Sequence, residues 1–130
     1  MSLEKAIQVA LKNSIKPIGR NSISRFGAIL IGGGREFTGQ NSYKSHPLQK
    51  KFGCNEECIH IHAEIDAIVG AMKWIAWTAG MRYNMVDDLS MFDMYVARVL
   101  KDGTPALSRP CEGCWRAISA FNIRSVEWTK

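Results

Sequence analysis

The chain has 130 residues, a formal net charge of +5, and 46% hydrophobic against 22% charged residues. That length supports one core and so a single domain over residues 1–130, and the composition excludes a disordered, collagen-like or disulfide-stapled chain. The longest apolar stretch, Ala67 to Met81, is interrupted by Lys73, and the N-terminus Met1-Ser2-Leu3-Glu4-Lys5 has no apolar leader segment. A cytoplasmic protein without membrane association is therefore expected. The positive charge favours phosphate-bearing partners, but the basic residues are scattered and define no dedicated nucleic-acid patch.

Leu3, Ala6, Ile7, Ala10 and Leu11 recur at helical spacing and predict a first amphipathic helix that ends before Pro17. Ile23 to Ile31 reads as a buried strand. Gly32-Gly33-Gly34 then turns the chain into a short strand over Glu36 to Gly39. No Gly-Lys-Ser/Thr follows the glycines, so a hairpin turn is expected rather than a phosphate loop. Asn41 to Cys58 reads as a polar loop. A long helix is predicted from near His62 to about Ala79, where Gly80 stops it, with Ile65, Ile68, Val69 and Met72 on its buried stripe. After a loop through Asp87 and Asp88, Met91 to Leu100 predicts a third strand. A helix begins near Cys111, and Ile123 to Trp128 predicts a fourth strand. The order α-β-β-α-β-α-β implies a layered α/β architecture.

Four cysteines in a reducing compartment point to metal ligands or core residues rather than disulfides. Cys111 and Cys114, three residues apart at a helix start, can aim two thiolates at one ion, where the helix dipole favours negative sulfur. His62, at another helix start, is the expected third ligand. Three protein ligands leave a fourth position for water, the arrangement of a catalytic zinc. Glu64 lies off the His62 face of its helix and so reads as a proton carrier instead of a ligand. A redox-active Cys-x-x-Cys, or a zinc-stabilised binding module without catalysis, would each leave Glu64 without a role.

Together, His62-Ala63-Glu64 and Pro110-Cys111-Glu112-Gly113-Cys114 resemble the cytidine and deoxycytidylate deaminase superfamily. The stretch Tyr43-Lys44-Ser45-His46-Pro47 resembles short deoxycytidylate deaminase-like proteins of bacteriophages, in which case the location is a host cytoplasm. The resemblance runs from about Phe26 to Trp128. It implies a three-layer α/β/α cytidine deaminase-like fold with a mixed sheet of about four strands. It also implies one catalytic Zn2+ on His62, Cys111 and Cys114, with Glu64 as general acid and base. The backbone N–H of Ala63 and a carbonyl near Arg109 are then expected to hold the pyrimidine edge, and Asn41 the sugar. Tyr43 stands where free-nucleoside deaminases carry a sugar-gripping Glu, and the chain stops without the family's further helix and fifth strand. That exposed edge makes a homo-oligomer the expectation. The stretch from Tyr83 to Ser90 reads as a lid or interface.

Lys44 and His46 follow Asn41 and suit a 5′-phosphate, so dCMP is the expected substrate. Free cytidine or deoxycytidine, and single-stranded DNA or RNA stacked on Trp74, Trp77, Trp115 or Tyr43, remain alternatives, as does adenine in place of cytosine. Cys54 and Cys58, with His60 or His46, could build a second, structural zinc site. Two reduced cysteines near a helix start, with His60 at the surface, are the favoured reading.

Overall fold

Two consecutive glycines set the first hairpin. In the computed structural model, which describes residues 2–19, 23–53 and 60–130, Gly33 and Gly34 have φ of 56° and 74°. Positive φ at both central residues matches the right-handed twist of the flanking strands, and glycine adopts it without steric cost. The turn joins β1 (Arg25–Gly32) to β2 (Arg35–Gln40), antiparallel, with Gly32 opposite Arg35. The hairpin expected from the glycines is present, although β1 begins two residues later than Ile23.

Around it the chain runs α1 (Ser2–Leu11), β1, β2, α2 (Pro47–Phe52), α3 (Ala63–Ala79), a 3-10 turn (Tyr83–Met85), β3 (Asp93–Val99), β4 (Pro105–Ala106), α4 (Glu112–Ala120) and β5 (Ser125–Trp128). The sheet order is β2-β1-β3-β4, all antiparallel, and β5 lies parallel to β3. The sheet is mixed, as expected, but has five strands rather than about four. The addition is β4, whose two residues pair with Arg98 and Val99. α2 corrects the reading of Asn41 to Cys58 as loop throughout. Six residues are too few to show a helical period, and the helix is started by Pro47 at its first turn and by His46, whose Nδ1 accepts the Leu48 N–H at 3.0 Å. Gly80 stops α3 in a left-handed conformation, as the sequence suggests.

The period-two alternation of the strands splits the core in two. Ile29, Ala97 and Val99 face Ala6 and Ala10 of α1. Ala28, Leu30, Met94 and Val96 face the other way, against Ile65, Ile68 and Met72 of α3 and Ala117 and Ile118 of α4. Helices therefore cover both faces of the sheet in three layers. Among the described residues no helix is long and apolar enough to cross a membrane.

The parallel pair is tied at its start. Arg124 donates from Nε and Nη2 to the two carboxylate oxygens of Asp93 at 2.9 and 2.7 Å, and Ser125 Oγ donates to the same group at 2.7 Å. These bonds hold the Asp93 carboxyl down at about 2. A carboxyl with a depressed folded pKa stabilises above its unfolded value, near 3.9, and loses that contribution as pH falls toward 2. Asp93→Asn should therefore lower stability in urea at pH 7 by about 0.5–1 kcal/mol, the scale of an exposed pair. The gap to the native chain should close between about pH 4 and pH 2; a gap independent of pH would show that the charge is idle.

Candidate metal centre

Both ligand-bearing helices start without a side-chain cap. His62 (φ −85°, ψ 158°) and Cys111 (φ −69°, ψ 169°) are the extended N-cap residues of α3 and α4, and neither side chain accepts a first-turn N–H. N-caps are usually Ser, Thr, Asp or Asn, which turn back on the helix. Here the imidazole and thiol turn outward, toward each other. β2 guides α3 into place: a Cβ on Gly39 would lie 2.2 Å from the Ala63 carbonyl and 2.4 Å from the Ala67 nitrogen, so the strand backbone rests directly on the first turn of α3.

His62 Nδ1 lies 3.6 Å from Cys111 Sγ and 3.4 Å from Cys114 Sγ, though 49 and 52 residues separate them in sequence. All three donor atoms fall within 4.8 Å of one another. Tetrahedral zinc, with bonds of about 2.3 Å to sulfur and about 2.0 Å to nitrogen, sets the N···S separation at about 3.5 Å. The residues fit the ion. The titration of the group makes the same point. Hydrogen bonding from Cys114, and then from His62, pulls the Cys111 thiol down to about 3. The Cys114 thiol is pushed up by its bond to that thiolate, by burial and by Glu64. The His62 imidazole is raised chiefly by its bond to Cys111. Without an ion Cys114 and His62 hold protons that the Cys111 thiolate accepts as hydrogen bonds; a divalent cation replaces those protons.

Glu64 is buried, at 5% exposure, and burial is the main cause of its raised pKa. It lies outside the ligand group and, with His62, Ala63, Cys111, Phe26, Asn41 and Arg109, lines a cavity of about 180 Å³. That is below the usual volume of drug-sized sites and suits a single small ring.

A cytidine deaminase from Burkholderia pseudomallei has a similar structure: TM-score 0.56 and 18% identity, covering 98% of this chain and 83% of that one. The chain has a cytidine deaminase-like fold. No family model and no curated protein sequence matches it.

On this cytidine deaminase-like frame the six residues expected around a substrate fall into two groups. Ala63 and Arg109 line the small cavity beside Glu64, whereas Tyr43, Lys44 and His46 line a second cavity of about 660 Å³. Asn41 lines both and marks their junction. Its Oδ1 already accepts Asn13 Nδ2 (2.7 Å) and the Phe26 N–H (2.9 Å), and its Nδ2 donates to the Ser24 carbonyl (3.0 Å). One N–H of the amide is left for a ligand. The Tyr43 hydroxyl donates to the Lys16 carbonyl and its own carbonyl meets His60 Nδ1 at 2.9 Å, so Tyr43 and His60 brace loops. The Leu48 N–H on His46 Nδ1 puts the proton of the neutral ring on Nε2, and burial with nearby Lys73 lowers its pKa, so His46 is a neutral donor.

Several residues escaped the sequence reading. Asn13, buried, holds Asn41. Lys16 and Lys73 join Lys44 around the large cavity. Ser108 and Thr129, both buried, lock the loop leading to Cys111: Ser108 Oγ donates to the Val96 carbonyl (3.0 Å) and accepts the Thr129 N–H (3.0 Å). Each acts across a long sequence separation and belongs to no motif. The tryptophans considered for base stacking line neither cavity. Trp74 packs on Phe37 beneath Arg35, Trp115 packs on Trp128, and Trp77 is exposed. Tyr83 to Ser90 is anchored by buried Val86 and Leu89. Cys54 and Cys58 lie outside the described residues.

Proposed function

We propose that this chain is a zinc-dependent hydrolytic deaminase of a cytosine-type base, with dCMP as substrate and dUMP and ammonia as products. The observation that carries the reading is the His62, Cys111 and Cys114 group at tetrahedral spacing, with buried Glu64 beside it in a cavity of one-ring size. A zinc ion held there supplies a water acidic enough to attack at neutral pH. Glu64 takes one proton from the attacking water and delivers it to the ring nitrogen, and then carries the second proton of that water to the departing amine. Burial raises the Glu64 pKa, which favours the protonated form that donates to the ring. The Ala63 N–H and the Arg109 carbonyl hold the pyrimidine edge, Asn41 meets the sugar, and Phe26 supplies an apolar wall.

The larger cavity supports a phosphate on the ligand. Lys16, Lys44 and Lys73 line it with the neutral His46 donor, and the carboxylate among them, Asp66, accepts the Gln40 N–H at 3.0 Å. Its volume of about 660 Å³ exceeds what one phosphate fills, which keeps a second reading: a stretch of single-stranded DNA or RNA passing Asn41. The location proposed is the cytoplasm. The assembly proposed is a homo-oligomer, for which Trp77 (80% exposed) and Met85 (63%) offer apolar contact surface.

A panel of cytidine, deoxycytidine, dCMP, dCTP and a cytosine-containing oligonucleotide, followed by loss of the cytosine absorbance, tests this. dCMP is expected to give the highest kcat/KM. Turnover of the oligonucleotide alone would replace dCMP by the second reading, and turnover of none would remove the cytosine assignment.

A further inference from the structure

We infer that Gln49 is a positioning residue for the metal ligands and that α2, which carries it, is a strut between the two ligand-bearing helix ends. Gln49 is 1% exposed, while Lys50 and Lys51 beside it face solvent. A buried amide is costly unless it is hydrogen-bonded, and Gln49 Oε1 accepts the backbone N–H of His62 at 3.0 Å. That N–H belongs to the N-cap residue, which has no donor role inside its own helix. The bond therefore fixes the residue whose side chain is the histidine ligand.

The other end of α2 meets α4. A Cβ on Gly113 would lie 2.5 Å from the Phe52 carbonyl oxygen and 3.2 Å from the Gly53 Cα, so only a glycine fits at position 113, just before Cys114. Arg116 Nη1 donates to the same carbonyl at 3.4 Å, and the Phe52 ring meets Phe121 edge-on at 6.1 Å. One short helix thus touches the backbone of the histidine ligand at one end and the turn between the two cysteine ligands at the other. His46 and Pro47 set where that helix starts. The donor spacings of 3.4 and 3.6 Å depend on both contacts.

The inference rests on the metal site and not on the identity of the substrate. Its test reads metal binding on the full chain. Gln49→Met keeps length and volume but removes the acceptor. It is expected to weaken zinc affinity about 10–100-fold, the usual cost of losing a partner behind a metal ligand. It should also shift the sulfur-to-metal and ligand-field bands of the cobalt-loaded protein. Gln49→Glu keeps an oxygen acceptor at the same reach and is expected to bind zinc within a few-fold of the native chain. A glutamine that served only packing would lower the melting temperature and leave zinc affinity and the cobalt spectrum of the folded protein unchanged; that result overturns the inference. Should Gln49→Met not fold, Gln49→Glu decides: near-native zinc affinity supports the strut, and loss of zinc overturns it. Failure of the metal assignment is distinguishable, because the native chain would then bind neither ion.

Discussion

Replacing Glu64 by glutamine is expected to lower turnover by about 10²–10⁴-fold, the scale of one positioned acid–base group, while zinc stays bound. The amide has the shape of the acid but cannot carry a proton, and Glu64 lies outside the His62, Cys111 and Cys114 group. Folding should not suffer. Burial raises the Glu64 pKa, so in the metal-free protein its ionised form opposes folding once pH exceeds the unfolded value of about 4.3. Glutamine removes that opposition. The metal-free Glu64→Gln chain should therefore melt at the same temperature as the native one, or higher, near pH 7. Activity assays, metal analysis and thermal melts on one preparation separate the two effects. Native activity in this variant would end the proton-carrier role, and loss of zinc would make Glu64 a ligand instead.

Losing a ligand should act in the opposite order, on metal first and turnover second. His62→Ala, Cys111→Ser or Cys114→Ser is expected to reduce zinc affinity by more than the 10–100-fold that an outer-shell partner costs. Cys114 is fully buried, so its position cannot recruit a replacement ligand from solvent without opening the site. Chelation of the native protein should abolish activity, and added zinc should restore it. Metal analysis should give one zinc per native chain and much less in each variant. Native zinc content in all three variants would place the metal elsewhere, and two zinc ions per native chain would bring in Cys54 and Cys58.

The legible part of the site is the part held by short-range geometry. Cys111 and Cys114 are one helical turn apart, so their convergence needs only the helix that Pro110 precedes. Likewise, His62 and Glu64 separate onto different sides of the start of α3 by helical spacing alone. α2 was hidden because six residues carry no period and because what stabilises it, the His46 cap and the burial of Gln49, lies in contacts rather than pattern. β4 was hidden for a similar reason: two residues beside β3 are a strand only because Arg98 and Val99 pair with them.

The substrate side shows the same division. Lys44 and His46 stood out because they follow Asn41 directly, whereas Lys16 and Lys73 join the same cavity from a distant loop and from α3. By itself, then, the sequence marked the candidate groups His62, Glu64, Cys111 and Cys114, the hairpin at Gly33-Gly34 and the two-faced strands, since each is visible from spacing within one element. Only the tertiary structure decided that a histidine 49 residues from the first cysteine meets it at 3.6 Å. It also decided that Asn41 spends most of its amide on Asn13, Phe26 and Ser24, and that Gln49 grips the His62 backbone. Those facts depend on which backbones the packed layers bring within hydrogen-bond range, a property of the whole fold that no local spacing records.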